Sequence, residues 1–174
     1  MSEDTAGATA PTVSHFLGEI TWLLTQSPLH RTLTIGDLEW LAMPALVTEQ
    51  FYVFRDNDRP IGLALWAKTD SVGEAKINKG IGEPENRLTL EEWRKGDRVW
   101  LVDLIAPFAT NENRHRELMM ADLVSGPLKG QGFSFHRTDA QGVRTVGRIE
   151  ADVGRRLEEA VRQAAMAAGV PGGN

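Results

Sequence analysis

Two hydrophobic periods take turns along this chain. Phe16, Ile20, Leu23 and Leu24 fall on one side of a helix predicted over Val13–Thr25. Pro28 ends any continuation, so Ser27-Pro28-Leu29-His30 is expected in a loop just past a helix terminus. Thr34 is suited to cap a second helix, with Asp37 near its positive end and Ile35, Leu38, Leu41, Ala42 and Ala45 at helical spacing. Pro44 is expected to kink or shorten that helix. The period then drops to two. Phe51–Arg55 and Ile61–Ala67 read as strands, and the turn formers Asp56-Asn57-Asp58-Arg59-Pro60 join them as a hairpin. Residues 70–88 predict a loop with one helical turn around Glu74–Asn78. Thr89-Leu90-Glu91-Glu92 fits a capping box for a short helix ending at Gly96.

The strand predicted over Arg98–Ile105 is apolar on both faces and therefore belongs in the middle of a sheet. Strict alternation places Asp103 on the face of Val99, Leu101 and Ile105. A helix over Asn113–Val124, closed by Gly126-Pro127, precedes a second hairpin of Phe133–Thr138 and Arg144–Ile149. A last helix, Asp152–Ala168, carries Val153, Leu157, Ala160, Val161 and Ala164. The order predicts an α+β fold, an α/β sandwich around one mixed sheet. Residues 1–12 and 169–174 are expected to be loose and 13–168 to form a single domain.

Composition narrows the chemistry. The chain has 174 residues, enough for one domain with a proper core. It has no cysteine, which removes disulfides, thiolate metal sites and sulfur nucleophiles. No histidine pair has metal-ligand spacing, so no metal site is expected. No apolar run approaches the roughly 20 residues of a membrane span. The start Met1-Ser2-Glu3-Asp4-Thr5 lacks the features of a secretory signal, and a cytoplasmic protein is the expectation. A net charge of −5 argues against broad nucleic-acid binding. Lys129, Arg137, Arg144, Arg148, Arg155 and Arg156 are either a solvated surface or a landing place for an acidic partner.

Three residues carry the candidate chemistry. Asp103 is a lone carboxylate in an apolar strand, and a desolvated carboxylate finds a partner or gives up its charge. A histidine is one natural partner, and the two together make a base that works near neutral pH. An arginine such as Arg98 or Arg114 is another. His30 is either a packing histidine after a helix or that base. Ser27 is either a turn former or a nucleophile completing a Ser/His/Asp set, though no Gly-x-Ser-x-Gly elbow exposes it. Of the tryptophans, most are expected in the core, with some free to wall a groove.

Trp22-Leu23 through Ser27-Pro28-Leu29-His30-Arg31 resembles the opening motif of the RTX toxin-activating lysine acyltransferases, the family typified by the hemolysin-activating protein. Gly96-Asp97-Arg98-Val99-Trp100 running into Asp103-Leu104-Ile105-Ala106-Pro107-Phe108 is similar to the same family, as is Val146-Gly147-Arg148-Ile149. The resemblance spans roughly Gly18 to Leu157. It implies a GNAT-like acyltransferase fold and transfer of a fatty acyl group from acyl carrier protein to internal lysines of an RTX protoxin. In that role His30 is the general base, Asp103 its partner, and Ser27 a support for the loop. Lys129, Arg137, Arg144 and Arg148 would face the acidic carrier. The glycine-rich pyrophosphate loop usual in GNAT folds is missing; the corresponding segment reads Ala109-Thr110-Asn111-Glu112-Asn113-Arg114-His115-Arg116. Without glycines the backbone is kept from a diphosphate, so coenzyme A is a poor donor and no bound cofactor is expected. Oligomeric state is not legible, though the resemblance inclines to a homodimer. A non-catalytic adaptor for acyl carrier or RTX protein, and a Ser/His/Asp thioesterase, are the alternatives.

Overall fold

A computed structural model describes residues 11–167; the terminal segments read above as loose lie, apart from Pro11 and Thr12, outside the described residues. Helices α1 (Val13–Gln26) and α2 (Leu38–Val47) come first. The hairpin β1 (Phe51–Asp56) and β2 (Arg59–Thr69) follows, then α3 (Ser71–Lys79), α4 (Leu90–Arg94) and β3 (Arg98–Ile105). Helix α5 (His115–Ser125) leads to the second hairpin, β4 (Phe133–Thr138) and β5 (Arg144–Ile149), and α6 (Val153–Ala167) closes the described chain. The five strands form one mixed sheet in sequence order, with β3 in the middle. All neighbours are antiparallel except β3 and β4, which run parallel. The α+β class and the central place of β3 are as the sequence predicts.

Each face of the sheet holds its own core. On one, Leu63, Leu65, Ala67, Trp100 and Ile105 pack against Ile20, Leu23, Leu41, Ala45 and Trp93 from α1, α2 and α4. On the other, Ala64, Trp66, Val99 and Leu101 pack with Met119, Leu123 and Phe133. Trp93, Trp100 and Phe133 are fully buried, each worth roughly 2–3 kcal/mol in transfer free energy.

Asp103 is not on the face that strict alternation assigns. β2 alternates from Leu63 to Ala67, but the β2–β3 register slips: Trp66 pairs with Leu101 and Leu65 with Asp103. Val102 is the additional residue, a β-bulge. It turns Asp103 onto the face of Leu65, Trp100 and Ile105, away from Val99 and Leu101.

Four smaller expectations also change. The loop predicted over 70–88 contains a nine-residue helix, α3, because Asp70 caps it by accepting from the N–H groups of Val72 and Gly73. Pro44 does not stop α2, which runs through it to Val47. Ile35 lies in a 3₁₀ turn ahead of α2 and is 89% exposed, not on the buried stripe. The apolar residues of α6 are largely uncovered, with Leu157 and Val161 both exposed.

Candidate active site

His30 is placed by the way α1 ends. Ser27 caps the helix, donating its backbone N–H to the Leu24 carbonyl, and Pro28 turns the chain outward. The Ser27 carbonyl then accepts from the N–H groups of His30 and Arg31, both at 3.0 Å. This tight turn aims the imidazole back at the sheet. His30 Nε2 lies 2.8 Å from Asp103 Oδ2, and His30 Nδ1 lies 2.7 Å from Ser27 Oγ.

A carboxylate only accepts, so Nε2 carries the hydrogen toward Asp103. The ring's lone pair then sits on Nδ1 and accepts the Ser27 hydroxyl hydrogen. Burial of the ring is the largest influence on the His30 pKa and pulls it down. The hydrogen bond to Asp103 and that carboxylate's charge together outweigh it, and the pKa ends above the ordinary 6.5. The alternative partners for Asp103 fall away: Arg98 is held by Glu74, and Arg114 makes no ion pair among the described residues.

The pair opens into a cleft of about 1090 Å³, large enough for an extended ligand. Its origin lies in the sheet. β3 and β4 pair over three positions only, Val99–Leu101 with Phe133–Phe135. Pairing stops where the Val102 bulge begins, and beyond it the strands leave a gap. Leu33, Trp40, Leu41 and Ile81 wall this gap from the α1–α2 face, and Leu104, Met120 and Phe135 from the α5 face. Side-chain exposure is 15% for His30 and 27% for Asp103, so the carboxylate is the more open of the two. Ser27 is buried, 6% exposed, and does not line the cleft.

The turn before α5 sits where a GNAT fold would present glycines. Asn113 fills it instead. Its Oδ1 accepts from the N–H groups of Thr110 at 2.9 Å and His115 at 3.1 Å, and its Nδ2 donates to the Phe108 carbonyl at 2.9 Å. A side chain thus occupies donors that a diphosphate would need.

The sequence model of the RTX toxin acyltransferase family matches residues 9–150. The chain belongs to that family. Individual relatives agree. A leukotoxin-activating lysine-acyltransferase of a Pasteurella haemolytica-like species is 37% identical over 113 residues, 65% of this chain and 63% of the relative. An RTX-II toxin-activating lysine-acyltransferase of Actinobacillus pleuropneumoniae is 33% identical over 102 residues, 59% of this chain and 61% of the relative. A protein-lysine myristoyltransferase of Escherichia coli is 33% identical over 95 residues, 55% of this chain and 54% of the relative. The chain thus spans a little under two thirds of the length of the curated relatives it matches.

Within this RTX toxin acyltransferase-family chain, the other sequence-derived site residues separate. Arg137 and Arg144 line the cleft. Lys129 and Arg148 do not; they pair with Glu158 at 2.7 Å and Glu150 at 3.1 Å. Trp40 is the tryptophan that walls the groove, while Trp66, Trp93 and Trp100 are core. His115 is half-buried, with an Nδ1 that has no partner among the described residues. Sequence reasoning passed over His136, which lines the same cleft as the His30–Asp103 pair. Only its place in a strand after Phe135 marked it, and which face it takes depends on a partner strand.

Proposed function

We propose that the chain transfers a fatty acyl group from acyl carrier protein to internal lysine side chains of an RTX protoxin. The observation that carries the reading is the His30–Asp103 pair at a cleft, in a chain of this family. A lysine ammonium, with a pKa of about 10.4, must lose a proton before its nitrogen attacks a thioester. The proton goes to His30. The resulting imidazolium donates from Nε2 to Asp103 and from Nδ1 to Ser27 Oγ, whose own hydrogen rotates aside. The amine then attacks the thioester carbonyl, a C–N bond forms, the C–S bond breaks, the departing sulfur takes the second proton that the nitrogen sheds, and His30 returns its own to solvent. Asp103 fixes the ring and balances its charge.

A carrier-borne donor is supported by Asn113, which blocks the diphosphate position of coenzyme A. The apolar cleft walls suit a long chain. Names of relatives also fit: several are toxin-activating lysine-acyltransferases and two are protein-lysine myristoyltransferases. A homodimer and a cytoplasmic location belong to the same reading. Among the described residues, no helix is long and apolar enough to cross a membrane. An adaptor would need neither His30 nor Asp103.

A second reading, a thioesterase, is favoured by one contact, the Ser27 Oγ–His30 Nδ1 distance of 2.7 Å that completes a Ser/His/Asp chain. The burial of Ser27 away from the cleft weighs against it. The test is mass spectrometry of a repeat-containing protoxin after incubation with this protein and acylated carrier. A fatty acyl increment on lysine, absent with His30→Ala, is expected. Free fatty acid with no lysine adduct would replace the reading with hydrolysis.

A further inference from the structure

His30 and Asp103 occupy one wall of the cleft. The other wall holds a second, separate arrangement built on β4 and β5. Arg144 Nη2 donates to His136 Nδ1 at 2.7 Å, and His136 Nε2 donates to Asn78 Oδ1 at 3.3 Å. The His136 ring rests on Trp100 with centroids 5.1 Å apart, and Trp100 Nε1 in turn donates to Glu74 at 3.0 Å. Burial, and then the Arg144 charge, hold the His136 pKa below 6.5. The imidazole is therefore a neutral acceptor and leaves the guanidinium charge uncompensated.

No carboxylate takes that charge either. Among the described residues Arg144 makes no ion pair, whereas Arg98, on the neighbouring β3, is held by Glu74 and Arg148, on the same strand, by Glu150. Gly80, at φ +107°, lies so close that a Cβ there would be 3.5 Å from Arg144 Nη1. The guanidinium is thus oriented by a relay of side chains, exposed, and lines the cleft. A planar fork of N–H donors without a carboxylate of its own matches the paired oxygens of a phosphate, the anion that a carrier-borne donor brings to this cleft. The other phosphate position, ahead of α5, is already filled by Asn113.

We propose that Arg144 binds the phosphodiester of the donor's phosphopantetheine arm, and that His136, steadied by Asn78 and Trp100, is the residue that positions it. This rests on the carrier-borne donor proposed above and goes beyond it, by naming the part of the donor recognised and the residue that recognises it.

The experiment measures binding of 4′-phosphopantetheine and of unphosphorylated pantetheine to the full chain by calorimetry. The phosphorylated probe should bind about ten- to a hundredfold tighter, as a charge-assisted hydrogen bond warrants. Arg144→Gln should erase the preference. Arg144→Lys, which keeps charge without the fork, should keep part of it. His136→Phe preserves a ring on Trp100 but loses the acceptor; it should lower the preference severalfold and raise KM for acyl carrier protein more than it lowers kcat. Equal binding of the two probes by the unaltered protein, or a full preference in folded Arg144→Gln, would overturn the assignment. If the preference exists and depends on Arg144 but acyl carrier protein is no donor, the carrier reading falls and the phosphate site stands. If Arg144→Gln transfers from acyl carrier protein with unchanged KM, the site falls and the carrier reading stands.

Discussion

Asp103 Oδ2 reaches His30 Nε2 at 2.8 Å across 73 residues of chain, and it does so because β3 carries one residue more than β2 opposite it. The bulge at Val102 brings the carboxylate to the helix face and ends the pairing with β4. One irregularity thus brings the carboxylate to the histidine and opens the space beside the two.

Removing the carboxylate should cost more than removing the serine. Asp103→Asn keeps the shape of the side chain but leaves the imidazolium without its counter-charge. Lysine acylation should fall by roughly 10²- to 10⁴-fold. His30→Ala should fall at least as far. A folded Asp103→Asn with near-normal acylation of a protoxin would exclude the carboxylate from the chemistry.

Ser27→Ala removes one hydrogen bond to the ring, worth about 1 kcal/mol, so acylation should drop only about fivefold to tenfold. Intact-mass measurement of the enzyme, quenched during turnover, should find no acyl adduct. An adduct on the unaltered protein that Ser27→Ala lacks would make Ser27 the nucleophile.

On the proposed reading His30 works as neutral imidazole, and its pKa is raised above 6.5. Activity should therefore rise with pH through a midpoint above 6.5. In Asp103→Asn, burial remains as the chief influence and the residual activity should rise through a lower midpoint. The linked stability has the opposite sense. In the unaltered protein the pair stabilises the fold below about pH 6.5, and that contribution is lost as pH climbs through the raised pKa. Coincident midpoints for the two proteins would detach the ascending limb from His30.

Arg137 and Arg144 line the cleft, while Lys129 and Arg148 already have glutamate partners. Reversing Arg137 and Arg144 together to glutamate should weaken binding of acyl carrier protein by at least tenfold and flatten its salt dependence. The same reversal at Lys129 and Arg148 should matter less. Carrier titrations at two ionic strengths decide it, and equal effects from both pairs would return the carrier to a diffuse basic surface.

Gly96 joins α4 to β3 where a Cβ would run into the Thr69 carbonyl, a backbone atom that does not yield. Gly96→Ala should lower stability by about 1–3 kcal/mol, comparable to other overpacked sites. A thermal melt unchanged within a degree would show that the β2–α3 junction gives way.

Much of this was legible in the sequence for local reasons. Apart from Arg98 and Asp103, β3 is apolar on both faces, and the turn formers at 56–60 and 139–142 fix two hairpins. Thr89 and Glu92 announce α4, and the hydrogen bonds they promise are made, Thr89 N–H to Glu92 at 2.8 Å and Glu92 N–H to Thr89 at 3.2 Å. His30 and Asp103 were found because a loop histidine and a strand carboxylate are each unusual in their surroundings. What escaped was non-local. The bulge at Val102 exists only relative to β2, so β3 alone reads as unbroken alternation. Helix α3 was hidden because Gly73 weakens helical propensity; it is small there because a Cβ would collide with the Thr69 hydroxyl. The role of His136 depends on the hairpin register that brings Arg144 to it and on Asn78, 58 positions away in the chain.

The extra residue in β3 makes the site a matter of parity. Substituting Val102 leaves the count intact, whereas deleting it would join Leu101, opposite Trp66, directly to Asp103, opposite Leu65, and straighten the strand. Asp103 would keep its face, but the break in β3–β4 pairing beside it would lose its cause. Along this strand the fold should forgive changes of side chain far more readily than changes of length.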